Sequence, residues 1–364
     1  MIRILQVVNI MERAGLETML MNYYRNIDRS QVQFDFLTHR SVTGAYEDEI
    51  CSYGGRIYRA PRLFPQNYLK YFSFMKGFFA EHPEYKIVHS HIDTMSFFPL
   101  SAAKQAAIPC RIGHSHSSKL DKDAKLPVKY VAKLLMPQVA NIYCACGEKA
   151  GKFMYGNRSV KIIHNAIDTQ KFAFDENERA SVRAELGLAD RFVIGHVGRY
   201  YYVKNQGFLL EVLKEIKTKI PDVCLLLIGK GGDEAALRQK VKELGLEKSI
   251  QFLIDRADVH RLYQAMDVFV MPSLFEGLPV VGVEAQANGL PCLFSDKISR
   301  EVLMTDQVEM MSLSQKPTEW ANKIVKMKRC KNNTNLRKLT DKGYNVSIEA
   351  KRLTQWYLEL ATKY

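Results

Sequence analysis

No stretch of the 364-residue chain approaches the ~20 consecutive apolar residues with which a helix crosses a bilayer. The first ten residues, MIRILQVVNI, carry one charge and then alternate as a strand does. They lack the long apolar region and the small-residue cleavage site of a secretory signal. These absences predict a cytoplasmic protein.

Cysteine is scarce, and its spacing is irregular. The seven cysteines include no C-x-x-C pair and no Cys/His cluster at zinc spacing, so we expect reduced thiols and no metal centre. Cys144 and Cys146 alternate within an apolar run, which indicates packing in a strand. The G-x-G at Gly229 and Gly231 lacks the further glycine of a dinucleotide fingerprint. The sequence therefore predicts no dinucleotide cofactor.

Basic residues exceed acidic ones, 52 to 39, and the formal net charge is +13. Such an excess favours phosphate-bearing ligands, anionic membranes or nucleic acid, but no nucleic-acid motif accompanies it. The basic residues concentrate in 119–135 (KLDKDAKLPVKYVAKLL), where apolar residues stand between the lysines. Two interpretations remain open for this stretch: a solvated helix face, or a patch that contacts anionic lipid.

The length corresponds to about two domains of ordinary size. Strand patterns alternate with helical ones, and the same strand–loop–helix pattern restarts at 192–216, which predicts two similar α/β domains with parallel sheets. The predicted strands are 2–8, 32–38, 87–91 and the beginning of 109–118, and the predicted helices are 17–26, 66–80 and 95–107.

The stretch 267–296 predicts a strand, a shaped loop, a helix and a second strand. Residues 267–271 are a short apolar run, and PSLFEGLP then excludes regular structure. Pro279 fits the first helical position of a helix over 280–288. Gly289 fits a left-handed cap at the end of that helix.

The loop before this helix has features that suit a nucleotide diphosphate-sugar. Backbone amides from Glu276 to Leu278 would be unpaired, and free amides at a helix N-terminus attract phosphate. Carboxylates beside such a site, at Glu276 and Glu284, would hold hydroxyl groups. In isolation, the two acids would instead be a loop residue and a solvated helix residue. The glycine and the prolines around them favour the functional interpretation.

Cations stand on a second glycine-bearing loop. Arg199 follows the glycine, and Lys204 stands near the start of the next helix. An arginine that clamps two oxygens and a lysine point charge suit a diphosphate, although either alone would be ordinary surface charge. Arg256, at the end of a later strand, is a candidate neighbour of the nucleotide base.

Two histidines stand at the end of another predicted strand. His114 and His116 lie at its carboxyl end, which is the edge where open α/β sheets bind ligands. A single histidine is usually structural, but this position favours a functional one. The sequence does not decide between the two.

These motifs resemble those of retaining glycosyltransferases of family 4, which have the GT-B fold. FEGLPVVGVEA resembles the E-x7-E signature of the family, AGLET its G-G-x-E-T loop, and the segment from Gly198 to Asn205 its G-R-x(5)-K-N pattern. Ala14 replaces a glycine, Ala166 replaces another in the N-G-I-D segment, and one residue is missing between Arg199 and Lys204. The resemblance spans essentially the whole chain and is closest to transferases of the exopolysaccharide and capsule type.

The resemblance implies a role for each candidate. Glu276 and His114 would contact the donor sugar, with His116 the competing match, and Glu284 would contact the ribose. Arg199 and Lys204 would stabilise the leaving diphosphate. The remaining candidate contacts to the donor are the Gly15 loop, which would lie against the donor phosphates or the acceptor, and Gly277, Leu278, Pro279 and Arg256.

The family fold predicts two Rossmann-like domains whose parallel sheets face a central cleft. Residues 1–168 would bind the acceptor, residues 169–342 would bind the nucleotide-sugar, and the helix in 343–364 would cross back onto the first domain. The expected activity is transfer of a hexosyl or N-acetylhexosaminyl group from a UDP-sugar to a lipid-linked or oligosaccharide acceptor. This would occur at the inner face of the membrane. A sugar-nucleotide epimerase and a catalytically silent, membrane-associated binding subunit are the alternatives.

A metal is not expected to take part. Metal-dependent transferases of a different fold carry a D-x-D motif after an apolar strand. The triplet Asp121-Lys122-Asp123 has that spacing but stands among lysines, so we interpret it as a solvated loop. The expected donor is a substrate, and no cofactor is predicted.

Overall fold

A computed structural model describes residues 1–120, 123–329 and 334–364. Asp121 and Lys122 of the D-x-D triplet, and Cys330, lie outside these residues. The strands are β1 (Ile2–Val7), β2 (Val32–Thr38), β3 (Ile57–Arg59), β4 (Ile87–Ser90), β5 (Cys110–Ser115), β6 (Ile142–Ala145), β7 (Lys161–Ile162), β8 (Phe192–Val197), β9 (Val223–Ile228), β10 (Ile250–Leu253), β11 (Val268–Met271), β12 (Cys292–Ser295) and β13 (Val308–Met311). The α-helices are α1 (Gly15–Asn26), α2 (Glu47–Ser52), α3 (Tyr68–Glu81), α4 (Phe97–Gln105), α5 (Leu126–Val139), α6 (Glu148–Tyr155), α7 (Glu176–Glu185), α8 (Gln206–Lys217), α9 (Glu234–Glu243), α10 (Val259–Ala265), α11 (Val280–Ala287), α12 (Pro317–Ile324), α13 (Thr334–Asp341) and α14 (Val346–Lys363).

The chain divides into two compact units. Unit 1 consists of 1–166 and 343–364, and unit 2 consists of 167–342. The division falls two residues before the boundary predicted after 168.

Unit 1 contains a parallel sheet with the strand order β3-β2-β1-β4-β5-β6-β7. Helices cover both sides of this sheet, so residues on both faces of its central strands are buried. Helices α1 and α14 pack over one face, where Tyr23, Phe34 and Tyr357 are buried. The aromatic helix α3 packs on the other face with α4 and α5, so its aromatic residues are core residues.

Unit 2 repeats this plan with the strand order β10-β9-β8-β11-β12-β13, and every strand pair is parallel. The predicted α/β class with two Rossmann-like parallel sheets is confirmed. In both units the strand order reverses beside the first strand, and loops that leave neighbouring strands diverge there. This switch point lies between β1 and β4 in unit 1 and between β8 and β11 in unit 2.

The stretch 267–296 folds as β11, a loop, α11 and β12. Gly289 has a φ of 71°, as expected of the left-handed cap that ends α11. The predicted position of Pro279 is wrong by one residue: its ψ of 115° is extended, so it precedes the helix and α11 begins at Val280.

Within the described residues, we find no helix with both the length and the hydrophobicity to cross a membrane.

Candidate functional site

The switch point of unit 2 brings together the two loops that carry the predicted cations and acids. The loop after β8 and the loop after β11 are joined by two hydrogen bonds: the Leu274 amide donates to the Val203 carbonyl at 2.8 Å, and Nδ2 of Asn205 donates to the Pro272 carbonyl at 3.1 Å. Asn205 has a φ of 56°, a left-handed conformation that asparagine tolerates better than most residues. The asparagine therefore ends one loop and ties it to the other.

Lys204 and Glu276 meet where these loops are joined. The ammonium group of Lys204 forms an ion pair with Oε1 of Glu276. The two side chains are only 20% and 18% exposed, so the pair is screened less than a surface pair would be. The structure thus brings together two residues that stand 72 positions apart and were predicted to serve one ligand.

The segment before α11 presents unpaired amides beside this ion pair. In the part of the chain that the structure describes, the amides of Gly277 and Leu278 donate no hydrogen bond. A side chain built at Gly277 would meet nothing within 4 Å, so packing within the chain does not require glycine there. The geometry suits an anion that approaches the backbone closely.

Arg199 lies on the same loop as Lys204 and is exposed, with its guanidinium carbon 5.5 Å from the centre of the Tyr201 ring. Gly229, the glycine after β9, packs against the backbone of this loop. Gly229 has a φ of 144°, and a Cβ there would lie 2.2 Å from the Gly198 carbonyl oxygen. The G-x-G that lacks a dinucleotide fingerprint therefore has a packing role.

Glu284 lies on α11, one to two turns after the free amides. Its Oε2 accepts a hydrogen bond from the Tyr263 hydroxyl at 2.9 Å. Burial raises the pKa of Glu284 to about 7, although the Tyr263 hydroxyl and the charge of Lys171 both act to lower it. Near neutral pH this carboxyl group is therefore partly protonated, whereas a solvated helix acid is ionised.

The structure does not place Arg256 with the other predicted ligands of the diphosphate. Arg256 follows β10, which is two strands away from β8 in the sheet. Its guanidinium forms a bidentate pair with Asp258, at 2.7 and 2.5 Å, and lies 3.6 Å from Glu185. These acids occupy the guanidinium, and its contact with a base stays a prediction.

The histidines predicted in unit 1 belong to a larger group. His114 and His116 stack at the end of β5 with ring centroids 4.1 Å apart. Behind them lie His89 and His91, from the end of β4. The buried nitrogen atoms His114 Nε2 and His116 Nδ1 find no hydrogen-bond partner among the described residues. Both histidines therefore remain candidates for contact with a ligand.

Burial keeps these imidazoles neutral. It lowers the pKa of His89, His91 and His114 well below the usual range, with a smaller contribution from the neighbouring imidazoles. Burial also lowers the pKa of His116 to about 3.

Nitrogen atoms of His89, His91 and His114 lie within 4.8 Å of one another, close enough to consider a metal ion. The His89 and His114 rings are nearly parallel, at 17°, and His89 Nε2 lies 3.1 Å from His114 Nδ1. At that distance the two nitrogens can share a hydrogen bond, and we assign them to it. The absence of a metal from the reaction stays a prediction.

Gly15 is the first residue of α1, in unit 1. A side chain built there would meet nothing within 4 Å, so the chain itself does not require glycine at this position. Close approach of a ligand to this backbone stays a prediction.

Sequence reasoning missed several polar residues that support the candidates. Tyr263, which donates to Glu284, was not among the predicted site residues. His196 is buried in β8, and its Nδ1 donates to the Val270 carbonyl oxygen, 2.9 Å away. His89 and His91 also support the candidate histidines, and only their position at the end of a strand could have indicated this from the sequence.

Comparison with known proteins assigns these loops to a family. The family model "Glycosyl transferases group 1" matches residues 191–329, which include β8 to β12 and both loops of the unit 2 site. The chain is 38% identical over 336 residues to the putative glycosyltransferase EpsF of Bacillus subtilis. The aligned region covers 89% of this chain and 87% of that protein.

A second relative is the Escherichia coli UDP-Gal:alpha-D-GlcNAc-diphosphoundecaprenol alpha-1,3-galactosyltransferase. It is 30% identical over 238 residues, 62% of each chain. Among solved structures, Anabaena HepE in complex with UDP has a TM-score of 0.76 at 20% identity over the full length of both chains. Sucrose-phosphate synthase from Thermosynechococcus elongatus has a TM-score of 0.75 at 16% identity, also over both full chains.

Proposed function

The chain belongs to the group 1 family of glycosyl transferases and has the GT-B fold; on this basis we propose that it is a retaining transferase that uses a UDP-sugar. The proposed product is an α- or β-linked sugar of unchanged anomeric configuration on a hydroxyl acceptor. Uridine is supported by the UDP bound to the Anabaena structure. A lipid-linked acceptor is supported by the diphosphoundecaprenol substrate in the name of the Escherichia coli relative.

One observation carries the proposal: the Lys204–Glu276 pair lies beside unpaired amides at the start of α11. In the proposed reaction the bond between the anomeric carbon and the diphosphate oxygen breaks. A bond to the acceptor oxygen forms, and the hydroxyl proton leaves with the diphosphate. Negative charge therefore grows on the diphosphate, where fixed positive ends stabilise it most.

Each residue has a separate task in this proposal. Lys204 and Arg199 bind the diphosphate, together with the amides of Gly277 and Leu278, and Pro279 holds the loop in its extended form. Glu276 accepts hydrogen bonds from sugar hydroxyls once the donor separates it from Lys204. Remaining assignments follow from the family resemblance: Glu284 to the ribose, Arg256 to the base, and His114 of unit 1 to a sugar hydroxyl. No metal or cofactor is assigned a part.

Thermal shift and product analysis test the proposal together. Among UDP-, GDP- and ADP-sugars, a UDP-sugar is expected to raise the melting temperature most, because a ligand held by the folded state stabilises it. NMR of the same mixture then follows the sugar. Slow hydrolysis of the donor, or transfer with retained configuration when an acceptor is added, is expected. Conversion of the sugar while it stays on the nucleotide would indicate an epimerase, and an unchanged donor would indicate a silent binding subunit.

The raised pKa of Glu284 predicts how donor affinity depends on pH. If the ionised carboxylate accepts hydrogen bonds from the ribose, the Kd of UDP-glucose should fall about tenfold from pH 6 to pH 8. The ionised fraction of a group with a pKa of about 7 grows about tenfold over that range. Isothermal titration measures the change directly.

A Glu284→Gln variant is the control for this dependence, since its amide does not titrate. The Kd of this variant should be larger than that of the wild type at pH 8, and it should not change with pH. A wild-type Kd that is equally flat would show that Glu284 does not bind the ribose through its ionised form.

We propose further that α5 places the enzyme at the inner face of the cell membrane. Its side chains Tyr130, Val131 and Leu134 are 60%, 56% and 77% exposed, and they point outward from one side of the helix. The sequence of α5 contains lysines and no acid. Lys129 pairs with Asp123 at 2.8 Å, and the Lys133 ammonium group lies 3.8 Å from the centre of the Phe153 ring, so the helix itself offers mainly its apolar ridge. An exposed apolar ridge on a chain with a formal net charge of +13 suits the surface of an anionic bilayer.

Sedimentation with vesicles checks this part. The protein is expected to pellet with vesicles of anionic phospholipid at low salt and to remain in solution with zwitterionic vesicles. Leu134→Asp should weaken pelleting several-fold, because it places a charge in the apolar ridge. Val42→Asp changes another exposed apolar residue, 60% exposed and in a loop, and should have no effect. Equal pelleting of both variants would contradict a role for α5.

A further inference from the structure

We propose that Gln6 sets opposite hydrogen-bonding roles for His114 and His116, so that one ring nitrogen donates and the other accepts. The inference rests on the proposed function in one respect, since it takes the end of β5 as part of a sugar-binding site. It names a positioning residue for that site and the chemical class of the group bound there. Gln6 lies on β1, directly opposite His89 in the register of β1 with β4.

Gln6 is the common origin of two hydrogen-bonded chains. It is fully buried, and its amide has one oxygen and one NH2 group, which face different partners. Nε2 donates to the Tyr357 hydroxyl oxygen at 3.3 Å, and Oε1 lies 2.8 Å from Nε2 of His91. Because an amide oxygen only accepts and an amide nitrogen only donates, the two chains start with opposite polarity.

The first chain runs through Tyr357 to His114. The Tyr357 oxygen accepts from Gln6, and the other partner of this hydroxyl among the described residues is Nδ1 of His89, 2.6 Å away, so its proton is directed there. His89 then carries its proton on Nε2 and donates it to Nδ1 of His114 at 3.1 Å. His114 must therefore carry its own proton on Nε2, the buried nitrogen that has no partner among the described residues. This chain ends in a donor.

The second chain runs through His91 to His116. Because Oε1 of Gln6 accepts from Nε2 of His91, Nδ1 of His91 is an acceptor. His116 donates to it from Nε2 at 3.0 Å. Nδ1 of His116 is buried and likewise has no hydrogen-bond partner among the described residues. It therefore holds a lone pair. This chain ends in an acceptor.

The opposition of the two ends survives a rotation of the amide. If the Gln6 amide turned over, its NH2 group would donate to His91 and its oxygen would accept from Tyr357. Each hydrogen bond in both chains would then reverse, so that His114 would end in an acceptor and His116 in a donor. In either orientation the pair offers one donor and one acceptor, because the amide has one of each.

A donor and an acceptor on rings 4.1 Å apart suit a hydroxyl group. A hydroxyl accepts one hydrogen bond and donates another, so its chemistry matches one donor nitrogen and one acceptor nitrogen. A phosphate oxygen would accept from one nitrogen and face the lone pair of the other. Both imidazoles are neutral, so they offer no charge to an anion. The structure therefore assigns this pair to a sugar hydroxyl and not to the diphosphate.

Nitrogen-15 NMR of the histidine side chains tests the assignment, because it reports which ring nitrogen carries the proton. At neutral pH the wild-type protein should show His114 and His116 in fixed tautomers with the proton on the same ring atom, both on Nε2 or, if the Gln6 amide is turned over, both on Nδ1. The inference is overturned if one of the two histidines carries its proton on Nδ1 and the other on Nε2. It is also overturned if both rings exchange freely between tautomers.

Two variants separate the chains. Tyr357→Phe cuts only the first, so His114 should become a mixture of tautomers while His116 stays fixed. Gln6→Met removes the common origin and should release both. Gln33→Met is the matched control, since Gln33 is a buried glutamine of the adjacent strand β2 that binds Tyr24 and the Tyr53 carbonyl. It should change neither histidine, and the inference fails if it changes both.

The ligand class is tested with D-glucose and inorganic phosphate as probes. Glucose is expected to shift the His114 and His116 signals of the wild-type protein, and less so those of Gln6→Met. Signals that shift with phosphate would contradict the assignment to a hydroxyl. So would signals that shift with neither probe. None of these spectra requires turnover. A correct tautomer pattern in a protein that transfers no sugar would therefore refute the proposed function alone.

Discussion

Lys204→Ala is expected to lower kcat about 10²–10³-fold, the loss seen when one preorganised group that stabilises transition-state charge is removed. Lys204 is proposed to face the diphosphate as negative charge grows on it. The substitution therefore acts on the transition state more than on the bound donor, and KM should change much less than kcat. Steady-state kinetics with the donor found by thermal shift measures both constants.

Folding is not expected to account for this loss. The Lys204–Glu276 pair is partly exposed and lies in loops, so the variant should keep its two parallel sheets and melt within a few degrees of the wild type. Lys240→Ala is the matched control, because it removes a lysine that binds Glu211 at 2.6 Å between α8 and α9. It should leave kcat unchanged. A Lys204→Ala variant with the wild-type rate would refute the role of Lys204.

Acid should unfold unit 1 well before unit 2. Burial lowers the pKa of four histidines of unit 1 that are almost inaccessible to solvent: His39, His89, His91 and His114. The unfolded chain takes up a proton on each below about pH 6.5, whereas the folded unit does not. The free energy of unfolding therefore falls as pH falls, by about 1.4 kcal/mol per histidine for each pH unit below that value.

The sum is large compared with ordinary stability. Four buried imidazoles reduce the free energy of unfolding by about 5 kcal/mol between about pH 7.5 and 5.5, and a typical domain has only about 5–15 kcal/mol. Asp93 acts in the opposite direction, because burial raises its pKa and the folded unit holds its proton more tightly than the unfolded chain does. Among the described residues of unit 2, one histidine, His196, is equally buried, with its pKa lowered to about 4.

The two tryptophans report the units separately, since Trp356 lies in α14 of unit 1 and Trp320 in α12 of unit 2. Fluorescence of a Trp320→Phe variant should show an acid transition at a higher pH than that of a Trp356→Phe variant. Coincident transitions, or an earlier transition in unit 2, would show that the buried histidines do not control acid stability.

Local patterns predicted much of the fold. The apolar runs at 32–38 and 267–271 correspond to β2 and β11, and Gly289 ends α11 as expected. Short edge strands such as β3 and β7 were not predicted, because two or three residues at a sheet edge carry no apolar run. Pro279 was placed inside the helix because its fixed φ suits both the first helical position and the residue before it.

The candidate site was predicted in part. The acids and cations of unit 2 were indicated by glycines and prolines that shape their loops, and the structure joins Lys204 to Glu276. The histidine network could not be predicted, because its order depends on contacts between residues far apart in the chain. Gln6 and Tyr357 are 351 positions apart, and each looks like an ordinary strand or helix residue in its own segment.

A crystal structure of the chain with UDP bound tests the central claim most directly. We expect the diphosphate within hydrogen-bonding distance of the Lys204 ammonium group and the amides of Gly277 and Leu278, with the Arg199 guanidinium turned toward it. We also expect the ribose at Glu284. A diphosphate bound elsewhere in unit 2, with the Lys204–Glu276 pair intact and out of reach of the ligand, would contradict the account.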